Sequence, residues 1–239
     1  MEGSYPLQAR NTVRRHRERA KYDFETVHSI VNASPILHVS FLPTNPADDP
    51  FPTTLPMIGY LGSFDGPSTG ALDLYLHGHS ASRVMRLAGN LGHEGIPVCV
   101  AATLIVMHGY ASVVTAEAEK DLALRLITDG LVPGCWDNSR VPPTRAENVS
   151  TSVLRVHVAS ANGKISQGGP SDDRKDLQDD EVTGRVWTGT LPVWEFVGTP
   201  IPSITNKVAQ VPDYVVQWRQ NHNAENESYA REAIGNIKQ

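Results

Sequence analysis

Leu72-Asp73-Leu74-Tyr75-Leu76-His77-Gly78-His79-Ser80-Ala81-Ser82-Arg83-Val84-Met85-Arg86-Leu87 is the stretch on which the fold turns. Leu72, Leu74 and Leu76 alternate with Asp73, Tyr75 and His77, the period-two pattern of a strand with one buried face. The alternation stops at Gly78. A polar His-Ser-Ala-Ser turn follows, and Val84, Met85 and Leu87 then give a helix its apolar side. A strand that runs through hydroxyls and an arginine into a helix start suits a phosphate. Backbone N–H groups at the helix N-terminus point at the anion, Arg83 adds a fixed charge, and Ser80 and Ser82 donate hydrogen bonds. The same residue types also serve as plain helix caps, so both roles stand at this point.

The rest of the chain bounds the reading. At 239 residues, with 40% hydrophobic and 20% charged residues, it can bury a full core. Its 19 glycines and 17 prolines favour many turns, hence a β-rich fold over a helical bundle. A net charge of -5 argues against a nucleic-acid partner. No apolar run reaches the length of a membrane span, and the first residues lack the apolar region of a signal peptide. Cys99 and Cys135 give neither a disulfide framework nor metal-ligand spacing, so no metal is expected and a reducing, cytoplasmic location is. The acidic run Ser171-Asp172-Asp173 to Asp179-Asp180-Glu181 lacks calcium-loop spacing and reads as solvated charge.

Residues 1–21 are polar, end in a basic run, and read as a solvated helical arm. Asp23 is placed to cap a helix whose face carries Phe24, Val27, Ile30 and Val31. Strands are expected at Leu37 to Phe41, Thr54 to Leu61 and Leu72 to His77, then Thr151 to Ala159 and Val186 to Val197, the last broken at Pro192. Thr115 reads as the N-cap of a helix with Leu122, Leu126 and Ile127 on its apolar stripe. Pro97 to Val114 alternates for longer than one strand of roughly 5–6 residues. Either a bulge at His108-Gly109 bends one long strand, or two strands meet without a proper loop. A short helix from Pro212 lies in the tail. The expected organisation is an N-terminal arm over 1–21, a barrel domain over 22–200 and a tail over 201–239.

The order and spacing of several short motifs resemble the FMN-binding split-barrel family, the pyridoxamine 5′-phosphate oxidase-like group, and within it a nitroimidazole-resistance-related branch of fungal type. The likeness rests on Val39-Ser40-Phe41, Leu55-Pro56-Met57-Ile58-Gly59-Tyr60, Leu74-Tyr75-Leu76-His77-Gly78, Ser82-Arg83, Val98-Cys99-Val100 and the Gly109 to Lys120 segment. Val132-Pro133-Gly134 with Trp136, and Val186 to Pro192, carry the fungal character. The resemblance implies a mainly β fold with flanking helices: a six-stranded antiparallel split β-barrel that forms a homodimer and holds FMN. It implies that Pro56, Met57 and Tyr60 run along the flavin, that Ser80, Ser82 and Arg83 hold its phosphate, and that His77 touches flavin or substrate as the catalytic candidate. Where relatives often carry a lysine after the Ser-Arg pair, this chain has Val84, which leaves the charge to Arg83. Relatives also carry a loop and strand where Leu104-Ile105-Val106 here runs into Met107-His108-Gly109, so part of one hairpin near 104–109 is expected to be missing.

Two functional readings follow. The first is an FMN-dependent oxidoreductase acting on a small molecule, with the protein orienting and tuning the flavin. The alternative is a non-catalytic flavin- or nucleotide-binding dimer with an impaired pocket.

Overall fold

A computed structural model of the chain describes residues 3–45, 47, 49–66 and 70–235. The extreme ends of the expected arm and tail lie outside those residues. The chain divides into two compact units, Met1–Ile165 and Ser166–Gln239.

The first unit is a curled antiparallel sheet. Its strands are β1 (Ala20–Lys21), β2 (Leu37–Phe41), β3 (Thr53–Met57), β4 (Gly59–Gly62), β5 (Asp73–His79), β6 (Ile96–Ala102), β7 (Ile105–Val113) and β8 (Thr151–Lys164). They lie in the order β3-β2-β6-β7-β8-β5-β4, with β1 also paired to β8. The fold is the expected split barrel, but with eight strands in place of six. The difference has two sources. The stretch from Thr54 to Leu61 is not one strand, because the chain breaks at Ile58. β8 is also long enough to pair with β7, β5 and the short β1.

The break at Ile58 closes the barrel. β3 and β4 are adjacent in sequence yet stand at opposite ends of the strand order. One intervening residue can join them only if the sheet curls until its two edges meet. Gly59 sits at that seam. A Cβ there would lie 2.6 Å from the Tyr75 carbonyl oxygen on β5 and 3.2 Å from Leu37 on β2. A side chain at this position would wedge the edges apart.

The hairpin near 104–109 is whole. Every residue from Ile96 to Ala102 pairs with one from Ile105 to Ala111, across a two-residue turn at Thr103-Leu104. Thr103 takes a left-handed φ of 47°, which glycine or asparagine would ordinarily mark in sequence. Both sequence alternatives are met at once: two strands share a minimal loop, and the register also slips between His108 and Gly109. Gly109 fits because its bare Cα lies against the His157 carbonyl oxygen.

Inward positions of the strands fill the barrel with Val39, Leu76, Val100, Met107 and Leu154. Helix α1 (Phe24–Asn32) adds Val27 and Val31 to this core. Asp23 caps it as expected, accepting from the Thr26 N–H at 2.8 Å. Helix α3 (Glu117–Leu131) packs Ala123 and Ile127 against Tyr75 and Val153 in a second cluster. Its N-cap is Ala116, one residue beyond the expected Thr115. The Tyr75 hydroxyl donates to buried Glu119 at 3.0 Å, and Arg155 Nη1 donates to the same oxygen at 3.1 Å. Burial and the nearby Glu119 carboxylate hold the Tyr75 phenol well above its ordinary pKa.

The N-terminal arm is neither helical nor wholly solvated. Tyr5 is buried, meets Phe24 edge-on at 4.8 Å and shares a 2.9 Å hydrogen bond with His28 Nε2. Asn11 Nδ2 donates to the Ala161 carbonyl at 3.1 Å. These apolar and amide contacts outweigh the basic run, which forms only a short 3₁₀ turn at Arg17–Arg19 before β1.

The second unit contains helix α5 (Asp180–Arg185), an extended segment, and helix α6 (Asp213–Glu232). The strand expected at Val186 to Val197 is absent there, and α6 is 20 residues long instead of short. Pro212 stands at its N-cap.

Gly59→Ala should destabilise the protein by roughly 1–3 kcal/mol, because the methyl meets the Tyr75 carbonyl oxygen as well as the packed Leu76 and Leu37 side chains. Glu119→Ala should lower stability by about 1–3 kcal/mol, since a buried phenol loses its acceptor. Urea unfolding midpoints of the two variants against the parent check both values.

Candidate functional site

The turn after β5 is tied down by main-chain bonds. Ser80 N–H donates to the Ser150 carbonyl at 2.8 Å, and Ser82 N–H donates to the His79 carbonyl at 2.9 Å. Ala81 N–H donates to His79 Nδ1 at 3.1 Å. Helix α2 (Arg83–Asn90) starts at once, with Ser82 at its N-cap position. A serine there ordinarily accepts from the second or third helical N–H. Ser82 does not: it makes no side-chain cap bond, and its Oγ is shut away from solvent without a partner. The first-turn amides therefore lack the usual side-chain acceptor.

Arg83 lies beside that hydroxyl in sequence. Its Nη1 donates to Thr53 Oγ1 at 3.0 Å, which ties the start of α2 to the start of β3. An uncapped helix start, an unpartnered hydroxyl and a guanidinium form a donor set suited to an anion. Just before the turn, Gly78 leaves room for two methionine methyls. Its missing Cβ would lie 3.3 Å from Met85 Cε and 3.5 Å from Met57 Cε.

The other expected residues fall in three places. Met57 faces the core near Gly78, whereas Pro56 is exposed on the opposite face, paired with His38. Tyr60 packs with the α3 cluster, its ring against Gly130. His77 is half-buried on β5 and faces a cavity of about 290 Å³ whose walls include Leu124, Thr128, Trp136, Arg140 and Val141. Burial holds the His77 imidazole below its ordinary pKa, so the ring is neutral at neutral pH. Arg140 in the same cavity pairs with Glu147 at 2.5 Å. That bond, with two from Thr144, brings the Glu147 carboxyl down to about 2.

Thr53, Arg140 and Glu147 escaped the sequence reading. Thr144-Arg145-Ala146-Glu147 does carry the capping-box spacing, and the box forms at the start of α4 (Arg145–Ser150). Nothing local signals Thr53 or Arg140, whose partners are brought to them by the fold. Among the described residues, no group of three or more metal-ligating side chains is gathered, and Cys99 and Cys135 are free thiols.

The buried histidines set a pH dependence. His28 and His77 are both held below 6.5 by burial, and His108 by burial and the nearby Arg10. The unfolded chain thus binds more protons than the native one just below that value. Stability is full above about pH 7 and falls as the pH drops through the folded-state pKa values. His77→Gln should flatten part of that slope in urea midpoints taken between about pH 7 and pH 5.

Comparison with known proteins places this geometry. The family model described as pyridoxamine 5′-phosphate oxidase matches residues 23–165. No curated protein matches the sequence. Among solved structures, the flavocytochrome Anf3 from Azotobacter vinelandii is 26% identical, with a TM-score of 0.71 over 89% of this chain and 97% of that one. The FAD- and heme-binding protein from Mycobacterium smegmatis shares the fold at 19% identity, with a TM-score of 0.67 over 84% of this chain and 97% of its own. The matched residues take in the whole seam at Ile58, the Ser80–Arg83 turn and all of β8, and the chain belongs to the pyridoxamine 5′-phosphate oxidase family, a flavin-binding family.

Proposed function

We propose that this chain is a flavin-dependent oxidoreductase, with FMN as its flavin and a small organic molecule as its substrate. The observation that carries the reading is the buried, unpartnered Ser82 Oγ beside Arg83 at an uncapped helix start. A phosphate monoester supplies the acceptors those groups lack, and the donor set fits it. Ser80, Ser82 and Arg83 bind the phosphate. Met57, with Pro56 and Tyr60, flanks the ring and ribityl chain as the family resemblance implies. When bound, the flavin supplies electron transfer in one- or two-electron steps. His77, kept neutral by burial, offers a hydrogen bond to substrate at the cavity it faces. The nitroimidazole-resistance-related, fungal-type branch belongs to this reading, as does a cytoplasmic location, which suits the two free thiols.

The reading includes a homodimer. Strands β2, β3, β6 and β7 contain no Asp, Glu, Lys or Arg. Their outward positions, His38, Thr54, Pro56, Pro97 and Tyr110, are exposed all the same. Exposed protein surfaces usually carry mixed charge that discourages association. A charge-free exposed face suits a second copy of the same face.

A second reading adds haem, since a protein 26% identical over most of this chain is a flavocytochrome. The specific observation is His77: a neutral imidazole facing a cavity of mixed lining, with Leu124, Trp136, Val141 and Pro143 beside Thr128, Ser139 and the Arg140–Glu147 pair. A neutral imidazole is the usual iron ligand.

Purified protein loaded with FMN tests the first reading. Arg83→Ala should weaken FMN binding by about tenfold or more, the loss of roughly 1.5–3 kcal/mol from a charged hydrogen bond. Flavin fluorescence quenching measures it. Bleaching of the bound flavin by NADPH marks an oxidoreductase. A yellow protein inert to reductants marks the non-catalytic binder, and a protein that rejects FMN and FAD sinks both. For haem, a Soret band that His77→Ala abolishes while flavin absorbance stays is the expected result.

A further inference from the structure

The cavity that His77 faces holds charge only in a matched pair. Of its lining residues, Arg140 and Glu147 alone carry formal charge, and they are bonded to each other. Glu147 has little left to offer a guest. One of its oxygens accepts from Arg140, and the other accepts from the Thr144 N–H at 2.7 Å and the Thr144 hydroxyl at 2.8 Å. Asn148, also on the wall, is held between one cation and one anion. Its carbonyl accepts from Lys120 Nζ at 2.6 Å, and its Nδ2 donates to Glu117 at 3.3 Å. His77 is the remaining ionisable group of the lining, and burial keeps it neutral.

A charged guest therefore meets no uncommitted counter-charge. An anion that approaches Arg140 also approaches Glu147, and a cation at Glu147 meets Arg140. Attraction and repulsion nearly cancel, while the guest still gives up hydration. The neutral polar groups are the ones left unspent. Among the described residues, the side chains of His77, Thr128 and Thr151 make no hydrogen bond. A neutral imidazole offers one donor and one acceptor, and each hydroxyl can serve as either. Leu124, Pro143 and the half-buried Trp136 supply apolar lining. At about 290 Å³ the cavity stands at the small end of ligand pockets, which run from about 300 to 1,000 Å³, and it suits a single ring.

We propose that this cavity selects an uncharged, single-ring substrate with at least one hydrogen-bond donor and one acceptor, and turns away the anionic and cationic analogues of that substrate. The class is set by what the fold leaves available: neutral donors and acceptors, and no free charge. The inference rests on the reading that His77 faces substrate, and it makes no use of the phosphate turn.

Benzamide, benzoate and benzamidine have nearly one shape and are neutral, anionic and cationic in that order at neutral pH. Ligand-observed NMR titrations of the full chain, with and without FMN, should rank benzamide about tenfold or more tighter than either ion. His77→Leu removes the imidazole nitrogens at similar size, and should weaken benzamide by about fivefold or more. Glu147→Gln keeps a residue that completes the capping box but strands the Arg140 charge, and should move the preference to benzoate. Arg140→Gln strands the Glu147 charge, and should move it to benzamidine. Circular dichroism checks that each variant folds. An ion that binds as tightly as benzamide, benzamide binding that His77→Leu leaves unchanged, or a ranking that neither charge variant moves overturns the inference. Failure of all three probes to bind at millimolar concentration overturns it as well. FMN binding, read by flavin fluorescence, is untouched by those results. A protein that rejects FMN yet ranks the probes in this order sinks the flavin reading and upholds the selectivity.

Discussion

One residue-wide gap holds the barrel shut. β3 and β4 occupy the two ends of the strand order, yet only Ile58 separates them. Every other pairing must bring those ends within a single residue's reach. Gly59 makes that possible, because the Tyr75 carbonyl and the Leu37 side chain already fill the space a side chain would need. The core then follows from alternation: once the sheet is closed, every inward position of β2, β6, β7 and β8 faces the same interior.

The candidate site is an outcome of that closure. Arg83 reaches Thr53 because α2 begins where β5 ends, and β5 lies across the seam from β3. Gly78 lets Met57 from β3 and Met85 from α2 approach from two sides. The anion-suited turn is thus braced by both edges of the barrel and by the Ser150 carbonyl at the start of β8. The backbone of the turn is therefore ordered before any ligand arrives, which keeps the entropic cost of binding low.

Much of this was legible in the chain. The leucine alternation before His77 located β5, and Ser82-Arg83 located the turn, because both signals are local. The Asp23 cap was legible for the same reason. Four features were not. Thr103 turns a hairpin without glycine or asparagine, so the period-two pattern ran through it unbroken. Ile58 carries no turn chemistry, so two strands read as one. Tyr5 is anchored by His28 and Phe24, and no composition argument in a basic arm points to them. Val186 to Val197 alternates like a strand, but its proline and the lack of a partner edge leave it extended and unpaired. Tyr5 is a case where contacts distant in sequence overrode a local pattern; Thr103 and Ile58 are turns without turn chemistry, and 186–197 is a strand pattern without a partner.

The place of β8 also sets an order of assembly. Without Thr151 to Lys164 the strand order leaves two separate ribbons, β3-β2-β6-β7 and β4-β5, because β8 is the strand between β7 and β5. Its arrival zips them together and gives Asn11, made far earlier, the Ala161 carbonyl it binds. From the completion of β7 until β8 is made, β7 and β5 each present an edge that β8 alone pairs. Completion belongs to the last part of translation of this unit, and a ribosome pause before Thr151 would expose those edges to other chains.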